Sequence, residues 1–204
     1  MLMGRKNMQK NDDSKKPVVL VFAGPNGSGK TTVTRSIMTV GVYVNADDLK
    51  KEFNLSDIEA AQAADALRNE LLDKGADFCF ETVLSTERNL LLMQKAKAQG
   101  YEVKCVYVLT CDENINVFRV KERFKSGGHD VPEDKIRSRY HKALAILPQV
   151  VDVCDNIIIY DNSDAPYKIF SKSEGRAEIH PNKYWSESDI RKLLAIDAKE
   201  DGLP

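Results

Sequence analysis

Blocks of apolar and polar positions alternate along the chain and predict strands and helices in turn. The first block, residues 18–23, is a continuous β-branched and apolar run, which is typical of a parallel strand buried on both faces. A helix can begin directly after the glycine-rich turn that follows, over residues 31–38. Further strands are predicted at positions 41–45, 77–82, 101–110 and 156–160.

Amphipathic stretches between these runs predict helices. Ser56 and Glu59 have the spacing of a capping box, and an Ala-rich helix runs from them to a glycine stop at Gly75. Other helices are predicted at residues 88–99, at 112–125 and after Pro132. The alternation predicts an α/β fold in which helices cover both faces of a parallel sheet in three layers. The signal weakens at the end of the chain to a β-hairpin over residues 167–180 and a helix over residues 186–196.

Composition indicates one soluble domain. The chain has 204 residues, which we divide into a polar, basic and flexible arm at 1–16 and a single domain at 17–204. Its 30 Lys and Arg against 31 Asp and Glu give no reason to expect nucleic acid or a membrane as a partner. No apolar run reaches membrane-spanning length, and the four cysteines have no C-x-x-C spacing. We therefore expect a cytoplasmic protein with reduced thiols.

The turn after the first strand has the pattern G-x-x-x-x-G-K-[ST], the phosphate-binding P-loop. Gly24, Gly27 and Gly29 lack a Cβ, so the backbone can adopt positive φ and turn its N–H groups toward phosphate oxygens. We expect Lys30 to reach the β- and γ-phosphates and Thr31 to give a hydroxyl ligand to Mg²⁺. The residues predicted to bind the nucleotide are Gly24, Pro25, Asn26, Gly27, Ser28, Gly29, Lys30, Thr31 and Thr32.

Acidic residues follow two other strands at the same edge of the predicted sheet. Asp47 and Asp48 come after the second strand, where a carboxylate can take a proton from a hydroxyl that attacks the γ-phosphate. An aspartate here can also cap the helix that begins near Leu49, so we expect Asp47 to be the base and Asp48 the cap. Glu81 ends the third strand and is expected to hold Mg²⁺ through water or to bind a substrate hydroxyl.

Basic residues on both sides of a glycine break predict a mobile lid over the nucleotide. Guanidinium groups stabilise the charge of a transferring phosphoryl group, and glycines allow a flap to close and exclude water. The alternative is a basic helical hairpin that pairs with neighbouring acids such as Glu122 and Glu133. The candidate lid residues are Arg119, Arg123, His129, Arg137 and Arg139.

Together these motifs resemble the zeta-toxin family of P-loop kinases, in the compact form often labelled predicted ABC-type ATPases. The resemblance spans roughly residues 18–163 and implies a kinase fold with a helical lid that uses ATP and Mg²⁺. Better-known members of the family phosphorylate the 3′-hydroxyl of UDP-N-acetylglucosamine and are held inactive by an antitoxin. The matching segments are AGPNGSGKT at 23–31, VNAD at 44–47, FET at 80–82, GGHDVP at 127–132 and RSRY at 137–140.

By position, the resemblance gives roles to residues of the predicted site. It implies that Asp47 is the catalytic base, that Glu81 and Thr82 contact the substrate or the metal, and that Arg119 or Arg123 is a lid arginine on the phosphates. We expect Arg137 and Arg139 to reach the substrate from the second arm of the lid.

Two further positions follow from the same comparison. Asp65 is implied as a second substrate acid, and His129 stands where longer toxins carry another phosphate-contacting arginine. The expected function is an ATP-dependent kinase for UDP-N-acetylglucosamine or a related sugar nucleotide, acting as the toxin of a toxin–antitoxin pair. The alternative is a nucleotide-dependent binding protein or ATPase that gates a partner.

Overall fold

A seven-stranded sheet forms the centre of the computed structural model, which describes residues 15–35, 37–128 and 130–196. The strand order is β2-β3-β1-β4-β5-β6-β7. The first five of these in the sheet are parallel, and β6 and β7 add antiparallel to β5. The strands are β1 (Val18–Ala23), β2 (Val42–Val44), β3 (Phe78–Thr82), β4 (Glu102–Leu109), β5 (Asn156–Asp161), β6 (Tyr167–Ser173) and β7 (Arg176–Ile179).

Helices lie on both faces of this sheet. The larger core fills one face, where Val19 and Val21 of β1 pack with buried residues of the long helices. Leu20 and Phe22 alternate to the other face and pack near Ile37. The helices are α1 (Lys30–Thr34), α2 (Ala46–Phe53), α3 (Asp57–Asp73), α4 (Glu87–Ala98), α5 (Glu113–Lys125), α6 (Glu133–Ala145), α7 (Leu147–Val153) and α8 (Glu187–Leu194). The predicted three-layer α/β fold is confirmed.

The sheet order brings the predicted chemistry to one edge. β1 is central, with β3 on one side and β4 on the other. The P-loop follows the carboxyl end of β1, Asp47 follows β2, and Glu81 lies at the end of β3. Because parallel strands point the same way, these carboxyl ends meet at one edge, where ligands bind in open α/β sheets.

Three local features differ from the sequence expectations. The helix expected at 31–38 is only five residues long, because its β-branched threonines favour helix weakly and Thr34 donates its hydroxyl back to the Lys30 carbonyl at 2.9 Å. The short helix α7, which begins with Leu147–Pro148, was not predicted. Asp48 was predicted to cap the second helix, which is wrong, because α2 begins at Ala46.

The remaining expectations concern the chain end, the thiols and membranes. The predicted arm at 1–16 falls almost wholly outside the described residues, and the C-terminal hairpin and helix are confirmed. The four cysteines carry free thiols, and Cys79, Cys105 and Cys154 are buried. Within the described part of the chain, no helix is long and apolar enough to cross a membrane.

Candidate active site

A cavity of about 720 Å³ opens at the carboxyl edge of the sheet. It collects most of the residues that the sequence singled out, from the P-loop, the start of α2, the end of β3 and the two helices α5 and α6. The predicted residues that line it are Asn26, Gly27, Gly29, Lys30, Thr31, Thr32, Asp47, Glu81, Thr82, Arg119, Arg123 and Arg139.

The P-loop requires glycine at positions where other chain segments approach closely. Gly27 and Gly29 have φ of 78° and 86°, a left-handed conformation that side chains disfavour. A Cβ on Gly27 would lie 2.4 Å from the Asn116 carbonyl oxygen, and one on Gly29 would lie 2.2 Å from Asn162 Nδ2. The glycines therefore allow both the turn and the close packing behind it.

Two asparagines from distant elements hold the loop in place. Asn116 of α5 donates from Nδ2 to the Asn26 carbonyl oxygen at 2.7 Å. Asn162, directly after β5, donates from Nδ2 to the Ser28 carbonyl oxygen at 2.8 Å. Both asparagines are buried, and Thr110 donates its hydroxyl to Asn116 Oδ1. These two asparagines bind the carbonyl groups of Asn26 and Ser28 on the side away from the cavity. The N–H groups of the P-loop can therefore face a bound anion.

Lys30 is buried inside the site, with 8% of its surface exposed. Its ammonium donates to the carbonyl oxygens of Gly24 at 2.8 Å and Pro25 at 3.3 Å, and lies 3.8 Å from Glu81 Oε1. Burial lowers the pKa of Lys30 to about 8, against the opposing effect of the Glu81 carboxylate, and the Arg123 charge lowers it further. A phosphate close to this ammonium would favour its charged form.

Asp47 lies in the first turn of α2 and lines the cavity. The helix is capped by Asn45, whose Oδ1 accepts the Asp47 N–H at 2.8 Å, so the cap does not come from an aspartate side chain. Asn45 also donates from Nδ2 to the Tyr43 hydroxyl at 3.3 Å, and burial raises the pKa of that hydroxyl. Tyr43 and Asn45 line the cavity, although no site motif singled out Tyr43.

Glu81 and Thr82 lie where β3 ends, beside the last residues of β1. The Thr82 hydroxyl oxygen accepts hydrogen bonds from the Leu84 N–H at 3.0 Å and from Asn89 Nδ2 at 2.8 Å. The Glu81 carboxylate and the Thr31 hydroxyl line the same cavity as the loop. No group of three or more metal-binding side chains occurs in the described residues. The Glu81 carboxylate and the Thr31 hydroxyl nevertheless fit Mg²⁺, because this ion takes one or two protein ligands and completes its coordination shell with phosphates and water.

Three of the four predicted lid arginines line the cavity. Arg119 donates to the carbonyl oxygens of Asn162 at 2.8 Å and Ser163 at 3.2 Å, which fixes its guanidinium beside the P-loop. Arg139 donates to Asn26 Oδ1 at 3.3 Å. Arg123 lines the cavity where α5 ends.

Two other predicted residues lie elsewhere, and one is not described. Arg137 is outside the cavity lining and pairs with Glu133 at 2.7 Å and Glu113 at 2.8 Å, as in the alternative of a salt-bridged hairpin. Asp65 lies in a separate pocket between α3 and α4. His129 is outside the described residues.

Comparison with protein families gives one match that covers most of the chain. A family model described as Zeta toxin matches residues 4–173. An uncharacterised protein from Haemophilus influenzae Rd is 33% identical over 128 residues, which cover 59% of this chain and 91% of that relative.

Solved structures share the fold at low sequence identity. The crystal structure of AvrRxo1-ORF1:AvrRxo1-ORF2 with sulphate ions has a TM-score of 0.68 at 17% identity, over 89% of this chain and 65% of that chain. This chain therefore spans just under two thirds of that neighbour's length. The crystal structure of the same complex with ATP has a TM-score of 0.68 at 17% identity, over 89% of this chain and 64% of that chain. A structure of the PezAT chromosomal toxin–antitoxin system of Streptococcus pneumoniae has a TM-score of 0.55 at 17% sequence identity. The match covers 90% of this chain and 84% of that chain.

Proposed function

Because this chain belongs to the zeta toxin family of P-loop kinases, we propose that it transfers the γ-phosphoryl group of ATP to an alcohol of a small molecule. One observation carries the proposal: the P-loop lysine Lys30, the acid Asp47 and three arginines line a single cavity of about 720 Å³. A binding module that only closes on a nucleotide needs no carboxylate opposite the P-loop, whereas a kinase needs a base there.

The proposed reaction assigns each side chain a step. The P-loop N–H groups and Lys30 bind the phosphates, and Asp47 takes the proton of the attacking hydroxyl. The acceptor oxygen bonds to the γ-phosphorus as the bond to the bridging oxygen of ADP breaks. Arg119 and Arg139, held on the carbonyl oxygen of Asn162 and on Asn26, stabilise the charge on the transferring group. Thr31 and Glu81 would hold Mg²⁺, which would supply positive charge to neutralise the phosphate oxygens.

The helical hairpin of α5 and α6 acts as the lid in this scheme. It supplies Arg119, Arg123 and Arg139 to the cavity, and the described residues of its connection include Gly127, which has a φ of 85° and open space around it. Hydrogen exchange at the backbone amides of residues 126–128, 130 and 131 tests the closure. We expect slower exchange with a non-hydrolysable ATP analogue and acceptor bound, whereas equal protection would mean a rigid hairpin.

The acceptor that we propose is UDP-N-acetylglucosamine or a related sugar nucleotide, because this is the substrate of the better-known members of the family. We propose a hydroxyl as the reacting group, since the Asp47 carboxylate in the cavity can take a hydroxyl proton. We further propose that the protein is the toxin of a toxin–antitoxin pair, in line with the PezAT structure that shares its fold.

Transfer of labelled phosphate tests the proposal directly. The protein is incubated with γ-labelled ATP, Mg²⁺ and one acceptor at a time, including UDP-N-acetylglucosamine, free N-acetylglucosamine and no acceptor. We expect label on the sugar nucleotide and none with Lys30→Ala, which removes phosphate binding. Slow hydrolysis that no acceptor changes would overturn the kinase and favour a nucleotide-gated binding protein.

Growth gives the test of toxicity. Induced expression in a bacterial host is expected to slow growth with the wild-type chain and not with Lys30→Ala. Equal growth at equal protein levels would reject the toxin and leave the kinase proposal standing.

A further inference from the structure

Asp161, the last residue of β5, is a buried carboxylate that has no part in the proposed reaction. Only 2% of its surface is exposed, and it does not line the catalytic cavity. Its Oδ1 accepts hydrogen bonds from the Ser163 hydroxyl and from the Ser163 N–H at 3.1 Å, and its Oδ2 accepts one from Asn182 Nδ2 at 2.9 Å. A carboxylate is costly to bury unless hydrogen bonds satisfy it. Its contacts therefore show which part of the structure it orders.

Asp161 fixes the backbone turn that follows it. Its side chain accepts the N–H of the residue two positions further on, which is an Asx turn. The Ser163 hydroxyl connects this turn to the end of β4, because its oxygen accepts the Cys111 N–H at 2.8 Å while it donates to Asp161. The Asn162 N–H donates to the Leu109 carbonyl oxygen at 2.8 Å. The carbonyl groups of Asn162 and Ser163 are therefore held in fixed directions.

These two carbonyl groups are the ones that bind Arg119. One guanidinium nitrogen donates to the Asn162 carbonyl oxygen at 2.8 Å, and the other donates to the Ser163 carbonyl oxygen at 3.2 Å. Because the guanidinium group is planar and rigid, two acceptors on one turn set both its position and its orientation. Arg119 lines the catalytic cavity. The placement of its charge in the cavity thus depends on the turn that Asp161 shapes.

The C-terminal segment, residues 180–196, supplies the remaining partner of Asp161. Asn182 holds its amide nitrogen toward Asp161, because its Oδ1 accepts the N–H groups of Tyr184 at 2.8 Å and Trp185 at 2.9 Å. The buried face of α8 anchors the segment in the larger core. The contact between Asn182 and Asp161 therefore connects the end of the described chain to the turn that binds Arg119.

We propose that Asp161 and Asn182 are positioning residues for Arg119, so that the C-terminal segment takes part in catalysis. Asn182 holds the Asp161 carboxylate, the carboxylate holds the turn, and the turn directs the Arg119 guanidinium at the transferring phosphoryl group. Asn182 lies beyond residue 173, where the family match ends. The inference rests on the proposed kinase function and adds residues to it that touch neither nucleotide nor acceptor.

Exchange of the two side chains tests the contact. Asp161→Asn places an amide nitrogen or a lost acceptor against Asn182 or Ser163, and Asn182→Asp places two carboxylates against each other. The double variant Asp161→Asn/Asn182→Asp again sets a donor opposite an acceptor and keeps the net charge. We expect each single variant to lower kcat about tenfold, because Arg119 is misplaced, and the double variant to recover most of that loss. The KM for ATP should change by less than about twofold, because the P-loop and Lys30 still bind the phosphates.

Two further variants separate positioning from stability, with kcat measured well below each unfolding midpoint. If Asp161 acts through Arg119, Asp161→Asn lowers kcat no further in an Arg119→Ala background. Asp155→Asn is the matched control, because Asp155 lies beside the opposite end of β5 and accepts the Val103 N–H at 2.9 Å. It should lower the unfolding midpoint and leave kcat unchanged. Unchanged kcat in both single variants, or fully additive losses with Arg119→Ala, would overturn the inference.

NMR of the Arg119 guanidinium reports on the contact without any turnover. Its Nε–H signal is assigned by its loss in Arg119→Ala and is recorded with a non-hydrolysable ATP analogue bound. We expect the signal to move in both single variants and to return toward its wild-type position in the double variant. A signal that stays in place in all three would refute the positioning role. Absence of phosphoryl transfer to every acceptor would refute the kinase instead, and the NMR result would still decide whether Asp161 and Asn182 place Arg119.

Discussion

The Lys30 ammonium donates a hydrogen bond of 2.8 Å to the Gly24 carbonyl oxygen, so the P-loop lysine is bonded to the first glycine of its own loop. A carbonyl dipole stabilises a buried ammonium less than water does, which agrees with the lowered pKa of Lys30, about 8. The γ-phosphate would add negative charge at this point and raise that pKa again.

Nucleotide binding should therefore take up protons near pH 8. At that pH about half of the free protein carries neutral Lys30, and the bound form carries the ammonium, so about half a proton is taken up per ATP. Calorimetric titrations at pH 8 in two buffers of different ionisation enthalpy measure this number. The same pair of titrations at pH 7, where Lys30 is already protonated, serves as control and should show about a tenth of a proton. Identical heats in the two buffers at pH 8 would contradict the assignment.

Asp47→Asn should remove phosphoryl transfer and leave ATP binding nearly unchanged. A base acts only as the hydroxyl attacks, so its loss lowers kcat by about 10²–10⁴-fold without weakening the ground-state complex. Asp48→Asn is the matched control, because Asp48 lies next to it on α2 and does not line the cavity. Turnover and ATP affinity are measured for both, and near-normal kcat in Asp47→Asn would show that another group takes the proton.

Arg139→Ala and Arg137→Ala should have opposite signatures, although the residues are two apart on α6. Arg139 lines the cavity and bonds Asn26, so its loss is expected to raise the barrier by about 1.5–3 kcal/mol, the range of a charge-assisted hydrogen bond. Arg137 pairs with Glu113 and Glu133, so its loss should change the unfolding midpoint and not kcat. If Arg137→Ala lowers kcat as strongly, Arg137 moves into the site during turnover.

Gly27→Ala should impair the P-loop more than backbone strain alone accounts for. Its positive φ costs about 1–2 kcal/mol for alanine, and a Cβ would also lie 2.4 Å from the Asn116 carbonyl oxygen. Gly175→Ala, at a similar φ of 76° with open space around it, carries the strain without the clash. Chemical unfolding and ATP titration of both variants measure their losses of stability and of ATP affinity, and the difference between the variants gives the effect of the clash. Equal losses would mean that Asn116 moves aside without cost.

The local pattern predicted the strands, the P-loop and the edge at which the site forms. The six apolar residues before the glycines are sufficient to predict a buried strand. The alternation of strands and helices along the chain is sufficient to predict a parallel sheet. The family resemblance drawn from the same motifs is confirmed by the match over residues 4–173. Local sequence patterns were therefore sufficient to predict the fold.

The contacts that complete the site were missed because they are not local. Asn116 and Asn162 lie 90 and 134 residues from the loop carbonyls that they bond, and neither is part of a recognisable spacing. The cap of α2 was assigned to the wrong residue because Asn45 was counted as the end of a strand, although asparagine caps as well as aspartate does. Arg137 and Arg139 carry the same charge and lie on the same helix. Only the packing of α6 determines that Arg139 contacts Asn26 in the cavity while Arg137 pairs with Glu133.

The C-terminal hairpin changes what the sheet presents to other molecules. Among residues 15–35, 37–128 and 130–196, the sheet ends in β2, which has three residues, and in β7, where Arg176 and Glu178 are exposed. Short or charged edge strands discourage a second chain from adding to the sheet. Without the hairpin, the apolar strand β5 would become the edge, with Ile157 and Ile159 beside its unpaired N–H and C=O groups. The hairpin therefore covers the apolar strand β5 with a short, charged edge strand, which disfavours association through the sheet edge.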